Sequence, residues 1–138
     1  MQDTELSGAR QVAALCWRDG DDRREVLLVT SSHGRWILPK GWPMEGRSDA
    51  EAAAIEAWEE AGVARGDVSA RALGTYIMTK QDSAGRELRL PTRVFPLKVT
   101  ELARNWPEKD RRERRWLPLV EAARTVTEPD LRTLLRAF

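Results

Sequence analysis

The stretch from Trp36 to Val63 constrains the fold most, because it contains the signals of a strand, a loop and a helix in succession. A short apolar run is ended by a proline, and a loop rich in glycine and proline follows. Ser48, with Glu51 three residues later, matches a capping box and predicts the start of a helix. Alanines favour the helix, and Gly62 stands where a helix normally ends. The pattern predicts a helix from about Asp49 to Ala61.

Three glutamates of this predicted helix are close neighbours. Glu56 and Glu60 are four residues apart and share a face, and Glu59 lies beside them. Like charges at this spacing destabilise an isolated helix by about 0.2–0.5 kcal/mol per pair. A divalent cation would explain the cluster, because Mg²⁺ prefers oxygen ligands and usually binds one or two carboxylates together with water and substrate phosphate. The alternative is an ordinary solvated helix face.

The same residues resemble the Nudix box. Its pattern is a Gly, five residues, Glu, seven residues, Arg-Glu, an aliphatic residue, any residue, Glu-Glu, any residue, Gly and an aliphatic residue. The match begins at Gly41 and ends at Gly62-Val63, and the spacing is kept throughout. Two positions differ, since Arg47 replaces the first Glu and Ile55 replaces the Arg.

The resemblance implies a Mg²⁺-dependent Nudix hydrolase that cleaves a P–O–P bond, with Mn²⁺ able to substitute for Mg²⁺. It implies that Glu56, Glu60 and Glu59 bind the metal and are the catalytic residues. The residues leave the general base open between Glu59 and an acid from a later loop, Glu87 or Glu108.

The two departures from the motif define an alternative function. The arginine that normally orients the acids is missing, so the domain would be catalytically weakened and would bind a nucleotide or inositol phosphate without turnover. If the protein is an enzyme, we expect Arg47 to contact Glu56 or Glu59 in its place. We also expect Ile55→Arg to raise turnover, because it would restore a partner for the acids.

Further segments are similar to the diphosphoinositol polyphosphate phosphohydrolase branch of the Nudix family. They are Gly8-Ala9-Arg10, the run EVLLVTSS followed by RWILPKG, and Arg114-Arg115-Trp116. The branch implies a diphosphoinositol polyphosphate or a diadenosine polyphosphate as substrate. The side chains that it implies for phosphate binding are those of Arg10, Ser32, Arg35 and Arg115. Lys40, directly before the motif loop, is a further candidate.

Composition limits the other classes of protein. The chain of 138 residues fits a single domain, and 41% hydrophobic with 33% charged residues is typical of a soluble globular protein. The net charge of +1 gives no support for binding to nucleic acid or to a membrane. The arginine-rich run at 111–115 is interleaved with acids and is better explained as a solvated strand edge. The six tryptophans are expected to pack, except Trp42, whose place in the motif loop would let it stack on a nucleobase.

The cellular setting follows from what the chain lacks. The single cysteine, Cys16, cannot form an internal disulfide and is expected to be buried. Met1 to Gly8 is short and polar, unlike a signal peptide. No apolar run approaches the roughly 18 residues of a membrane helix. We therefore expect a cytoplasmic protein, monomer or homodimer, whose partner is a small-molecule polyphosphate.

Strand signals surround the central helix. Strands are expected over 11–17, 25–30, a short piece at 36, 68–80 with a kink at Gly74, 88–99 and 111–119. Pro91 and Pro96 predict that the 88–99 strand is bent or lies at a sheet edge. Thr127 is expected to cap a last amphipathic helix. The predicted class is α/β, a Nudix-type α/β/α sandwich with the Nudix helix on one face of a mixed sheet and a C-terminal helix.

Overall fold

The computed structural model describes residues 9–138, so the Met1 to Gly8 segment lies outside the described residues. The elements within this range, in chain order, are β1 Gln11–Asp19, β2 Arg24–Thr30, β3 Trp36–Ile37, β4 Lys40–Gly41, α1 Asp49–Ala61, β5 Val63–Val68, β6 Gly74–Gln81, β7 Glu87–Leu102, β8 Arg114–Pro118, α2 Leu119–Thr125 and α3 Pro129–Ala137.

The strands form one mixed sheet. Its path is β3-β2-β1-β7-β5, and β4, β6 and β8 pair with β1, β7 and β2 respectively. The two central strands, β1 and β7, run parallel, whereas the other pairs are antiparallel. A mixed sheet is therefore confirmed.

Two apolar layers cover the two faces of the sheet. Along β1, Val12, Ala14 and Cys16 face the cluster that contains the alanines of α1. Ala13 and Leu15 point the other way, into the cluster that contains α2 and α3. Because side chains alternate along a strand, a strand between two helical layers must be apolar at every position. The α/β/α sandwich is confirmed, with α1 alone on one face.

The strand β5 was not predicted, and the predicted strand over 68–80 was too long. In the structure β5 ends at Val68, and the chain forms a loop before β6 begins at Gly74. Most residues of β5 are exposed, and only its two ends are valines. An exposed strand lacks the apolar alternation on which the prediction relies.

The edge position considered for the proline-containing strand is wrong. β7 lies inside the sheet, paired with β1 on one side and with β6 and then β5 on the other. Pairing with β1 starts at Thr92, after Pro91. Pro96 lies between the last residue paired with β6, Val94, and the first paired with β5, Leu97. Each proline thus has only one paired strand beside it, and a proline is tolerated where its nitrogen can face the unpaired side.

The predicted helix has the predicted ends. Ser48 accepts a hydrogen bond from the Glu51 amide, and the Glu51 side chain accepts one from the Ser48 amide, which confirms the capping box. Gly62 ends α1 with a φ of 72°. Within residues 9–138, no helix has both the length and the apolar character needed to cross a membrane.

Gly62→Ala should destabilise the protein more than Gly46→Ala does. Both glycines have positive φ, 72° and 79°, so each alanine introduces strain of about 1–2 kcal/mol. A Cβ at Gly62 would also lie 2.6 Å from Arg114 Nη1 and 2.8 Å from Trp106 Cδ2, whereas nothing lies within 4 Å at Gly46. Urea unfolding at a common m-value measures the difference. Equal losses would contradict the packing at the end of α1.

Candidate active site

The acids of α1 lie against the backbone of β4. Glu60 is only 6% exposed, and its Oε1 accepts a hydrogen bond of 3.3 Å from the Lys40 amide. The Glu56 carboxylate lies so close to Gly41 that a Cβ there would collide with it. A larger residue in place of the glycine that begins the motif would therefore displace the Glu56 carboxylate from β4.

Burial and mutual repulsion make these carboxylates hard to ionise. Burial, together with the charges of Glu60, Glu59 and Glu108, raises the pKa of Glu56 to about 7. Burial also raises the pKa of Glu60, although Arg112 and Lys40 oppose that shift. A buried acid and a partly buried acid, Glu60 and Glu56, both with raised pKa values, form an arrangement that a bound cation would stabilise.

The segment between β7 and β8 is anchored to the last turn of α1. The indole Nε1 of Trp106 donates to the Glu60 carbonyl at 3.0 Å, and the Glu108 amide donates to the Glu59 carbonyl at 3.0 Å. Arg114 Nη1 donates to the Ala61 carbonyl at 2.9 Å. These bonds satisfy the free carbonyls of the helix end and hold the segment over the acids.

Arg112, which this segment brings to the acids, was missed as a site residue. Its Nε donates to Glu108 Oε1 at 2.6 Å, and its Nη1 donates to the Thr30 carbonyl at 2.8 Å. Its Nη2 lies 3.5 Å from Glu60 Oε2. Glu108, four residues before Arg112, is a local partner, but Thr30 and Glu60 are far away in the sequence, so no local signal connects Arg112 with the acids of α1.

The two motif positions that depart from the pattern are Arg47 and Ile55. Ile55 lines an apolar groove with Trp58 and Val63, between α1 and β5. In the described part of the chain, Arg47 forms no ion pair with Glu56 or Glu59. The expectation that Arg47 replaces the missing arginine is therefore wrong in this structure.

A polar cavity of about 700 Å³ adjoins the acids through Lys40 and Arg112. Its walls bring together three of the predicted phosphate-binding residues, Ser32, Arg35 and Lys40, and add Lys80. Burial lowers the pKa of Lys40, and the charges of Lys80, Arg112 and Arg35 lower it further, against the opposing effect of Glu60. Cations that face one another across a cavity create a site for an anion.

Two residues before α3 hold the Arg35 side chain at the cavity wall. Its Nη1 donates to Thr127 Oγ1 at 3.2 Å and lies 3.8 Å from Glu128 Oε2. The expectation that Thr127 caps the last helix is wrong, because Glu128 is the N-cap residue of α3 and no side chain caps that helix.

The other two predicted phosphate-binding residues do not line this cavity. Arg10 Nη2 forms an ion pair with Asp49 Oδ2 at 2.9 Å, at the start of α1. The Arg115 guanidinium lies 5.1 Å from the centre of the Trp36 ring. Phosphate contacts of Arg10 and Arg115 remain predictions.

The donors of the acid cluster fit a hard cation. Among residues 9–138, no three carboxylate, imidazole or thiol side chains are arranged to hold a metal ion. Mg²⁺ needs only one or two carboxylates, since water and phosphate complete its shell. Glu56 and Glu60 supply such a pair, and Glu59 lies on the neighbouring face of the same turn.

A comparison with protein families identifies the family of the chain. The model of the NUDIX domain matches residues 9–138, so the chain belongs to the Nudix family. It is 38% identical over 105 residues to Nudix hydrolase 12, mitochondrial, of Arabidopsis thaliana, covering 73% of this chain and 51% of that protein. It is 37% identical over 122 residues to diphosphoinositol polyphosphate phosphohydrolase 3-alpha of Mus musculus, covering 85% and 68%. The chain thus spans about half the length of the first relative.

Solved structures share the fold. An Ap4A hydrolase of C. elegans matches with a TM-score of 0.64 at 19% identity, covering 93% of each chain. The NUDIX domain of Shewanella oneidensis NrtR, complexed with ADP ribose, matches with a TM-score of 0.67 at 20% identity, covering 94% of this chain and 86% of that one. At this identity the similarity shows the fold alone, and it agrees with the observed α/β/α sandwich.

Glu56→Gln should stabilise the metal-free protein at pH 8 but not at pH 4.5. The folded-state pKa of Glu56 is raised from 4.5 to about 7. The folded state therefore binds more protons, and the free energy of unfolding falls as pH rises through this window. Glutamine does not ionise, so the variant should not show this fall in the free energy of unfolding. Thermal unfolding in EDTA at both pH values measures it.

Two controls accompany this prediction. Glu45→Gln, at an exposed loop position, removes one negative charge away from the cluster. Excess Mn²⁺ should raise the melting temperature of the wild type more than that of Glu56→Gln, because a ligand that binds the folded state stabilises it. Identical melting temperatures of wild type and Glu56→Gln in EDTA at pH 8 would contradict the charge repulsion.

Proposed function

We propose that this protein is a metal-dependent pyrophosphohydrolase with one Nudix domain, cleaving a P–O–P bond in a diphosphoinositol polyphosphate or a diadenosine polyphosphate. The observation that carries the proposal is that the buried Glu60 and the partly buried Glu56 adjoin a basic cavity through Lys40 and Arg112. Membership of the Nudix family and the names of the relatives support it. A cytoplasmic location, a monomer or homodimer, and the absence of nucleic-acid and membrane partners remain predictions.

The acids and the cavity have separate roles. Glu56 and Glu60, with Glu59 beside them, would hold Mg²⁺ or Mn²⁺, which when bound offsets phosphate charge and lowers the pKa of an attacking water. Arg112 orients the Glu60 carboxylate and offsets part of its charge. Ser32, Arg35 and Lys40 then bind the phosphates that are not attacked, by charge-assisted hydrogen bonds.

Three acids are candidates for the general base that takes a proton from the attacking water. Glu59 lies on α1 beside the proposed metal pair. Glu108 is held by Arg112, and its charge raises the pKa values of both Glu56 and Glu60. Glu87 lies on the cavity wall. The base must reach the attacking water, so single Gln variants at these three positions would identify it.

One observation favours the alternative of binding without turnover. The motif arginine is replaced by Ile55, which faces an apolar groove, and Arg47 does not pair with the acids. Glu59 has no ion-pair partner within the described residues. In this alternative the basic cavity binds the polyphosphate and the acids do not support hydrolysis.

Glu60→Gln should lower the rate of P–O–P cleavage at least about 100-fold, measured as phosphate release from the diphosphoinositol compound and as nucleotide products from the dinucleotide. Losing a metal-binding carboxylate removes several kcal/mol of charge stabilisation, and each 1.36 kcal/mol corresponds to about tenfold in rate. Diphosphoinositol pentakisphosphate and diadenosine tetraphosphate are assayed with Mg²⁺ and with EDTA. Glu121→Gln, on the exposed side of α2, is the matched control and should keep full activity. Tight binding of either compound by an inactive wild type would favour the alternative.

Ile55→Arg should raise the turnover of the wild type. Positions 55 and 59 are one helical turn apart, so an arginine would lie beside Glu59 and orient its carboxylate. The measurement is kcat for the better of the two substrates, with Ile55→Leu as a control for changes in the groove. An unchanged or lower kcat would count against the missing arginine as a cause of weak activity.

A further inference from the structure

Trp42 is an exposed side chain near the site, and the proposed function gives it no role in binding or catalysis. It is 47% exposed, the most exposed large aromatic side chain among the described residues. It directly follows Gly41, whose backbone contacts the Glu56 carboxylate. The Lys80 ammonium lies 5.6 Å from the centre of its ring, and Lys80 also lines the basic cavity. Trp42 itself does not line the cavity, but the indole lies beside Lys80, which does, and follows Lys40 and Gly41 of β4 in the chain.

We propose that Trp42 is a stacking platform for a nucleobase, and that it makes the site prefer a nucleoside or dinucleoside polyphosphate to an inositol pyrophosphate. The inference rests on the proposed function and narrows its substrate class. An exposed indole gains little from folding, because its apolar surface stays in water. A planar base stacked on the ring would cover that surface, and a saturated inositol ring has no π face to offer.

The charges that line the cavity also support a nucleoside polyphosphate as the ligand. Arg35 is paired with Glu128, and Arg112 is paired with Glu108 and Glu60. Within the described residues, Lys40 and Lys80 are the cavity cations that form no ion pair.

Acids also line this cavity, namely Asp82 and Glu87. A wall with this balance suits a short linear phosphate chain held beside a metal ion.

Two substrates that differ in the base test the platform. Diadenosine tetraphosphate carries adenines, whereas inorganic tripolyphosphate carries none. Trp42→Ala should lower kcat/KM for diadenosine tetraphosphate by about 5- to 100-fold, because stacking on an aromatic side chain contributes about 1–3 kcal/mol per base. The loss should appear mainly in KM. The same variant should leave kcat/KM for tripolyphosphate unchanged, and Trp42→Phe should keep most of the wild-type preference.

Trp58→Ala is the matched control. Trp58 is 38% exposed, but it lines the apolar groove between α1 and β5 rather than the cavity. Its replacement should leave the ratio of the two kcat/KM values unchanged. Because each ratio is measured within one variant, a change in stability affects both substrates and cancels.

The outcomes separate this inference from the proposed function. An equal loss for both substrates in Trp42→Ala would overturn the platform, because Trp42 would then only support the loop. A wild type that prefers diphosphoinositol pentakisphosphate to diadenosine tetraphosphate would also overturn it, while the hydrolase function stands. If the wild type cleaves none of these compounds, the proposed function fails. Calorimetry with diadenosine tetraphosphate and tripolyphosphate then tests the platform, and equal affinities in wild type and Trp42→Ala would overturn it.

Discussion

The contact between β4 and the acids of α1 is the constraint on which the site depends. The Lys40 amide donates to Glu60, and the backbone of Gly41 lies directly on Glu56. These contacts remove the Glu56 and Glu60 carboxylates from much of the water that would otherwise hydrate them. Burial raises their pKa values, so the fold holds charge in a place where a cation would stabilise it. The motif thus places one carboxylate where it is buried and another where it is partly buried.

The same segment completes the fold and the site. Trp106 and Glu108, between β7 and β8, and Arg114, the first residue of β8, satisfy the free carbonyls at the end of α1. These bonds also place Arg112 beside Glu60. The Arg112 guanidinium, 3.5 Å from the Glu60 carboxylate, offsets part of the repulsion among the acids. A change at the end of the helix would therefore affect both stability and the geometry of the acids.

The cavity shows how a mixed sheet assembles a site from distant segments. The loop after β2 contributes Ser32 and Arg35, and the end of β6 contributes Lys80. The loop before α3 holds Arg35 in place through Glu128. Each cation is positioned by a different element, so the spacing of the charges is set by the packing of those elements. As a result, the cavity cations Arg35 and Arg112 are paired with carboxylates, whereas Lys40 and Lys80 form no ion pair within the described residues.

The sequence by itself determined the helix α1 and its clustered acids, because caps are local hydrogen bonds and helical spacing is periodic. It also indicated the apolar strands of a two-sided sheet. Only the tertiary structure decided the place of β5, whose exposed residues carry no alternation, and the central position of β7, whose prolines resemble those of an edge. It alone brought Arg112 to Glu60 and paired Arg10 with Asp49. Such contacts join residues far apart in the chain, and their formation depends on how whole elements pack.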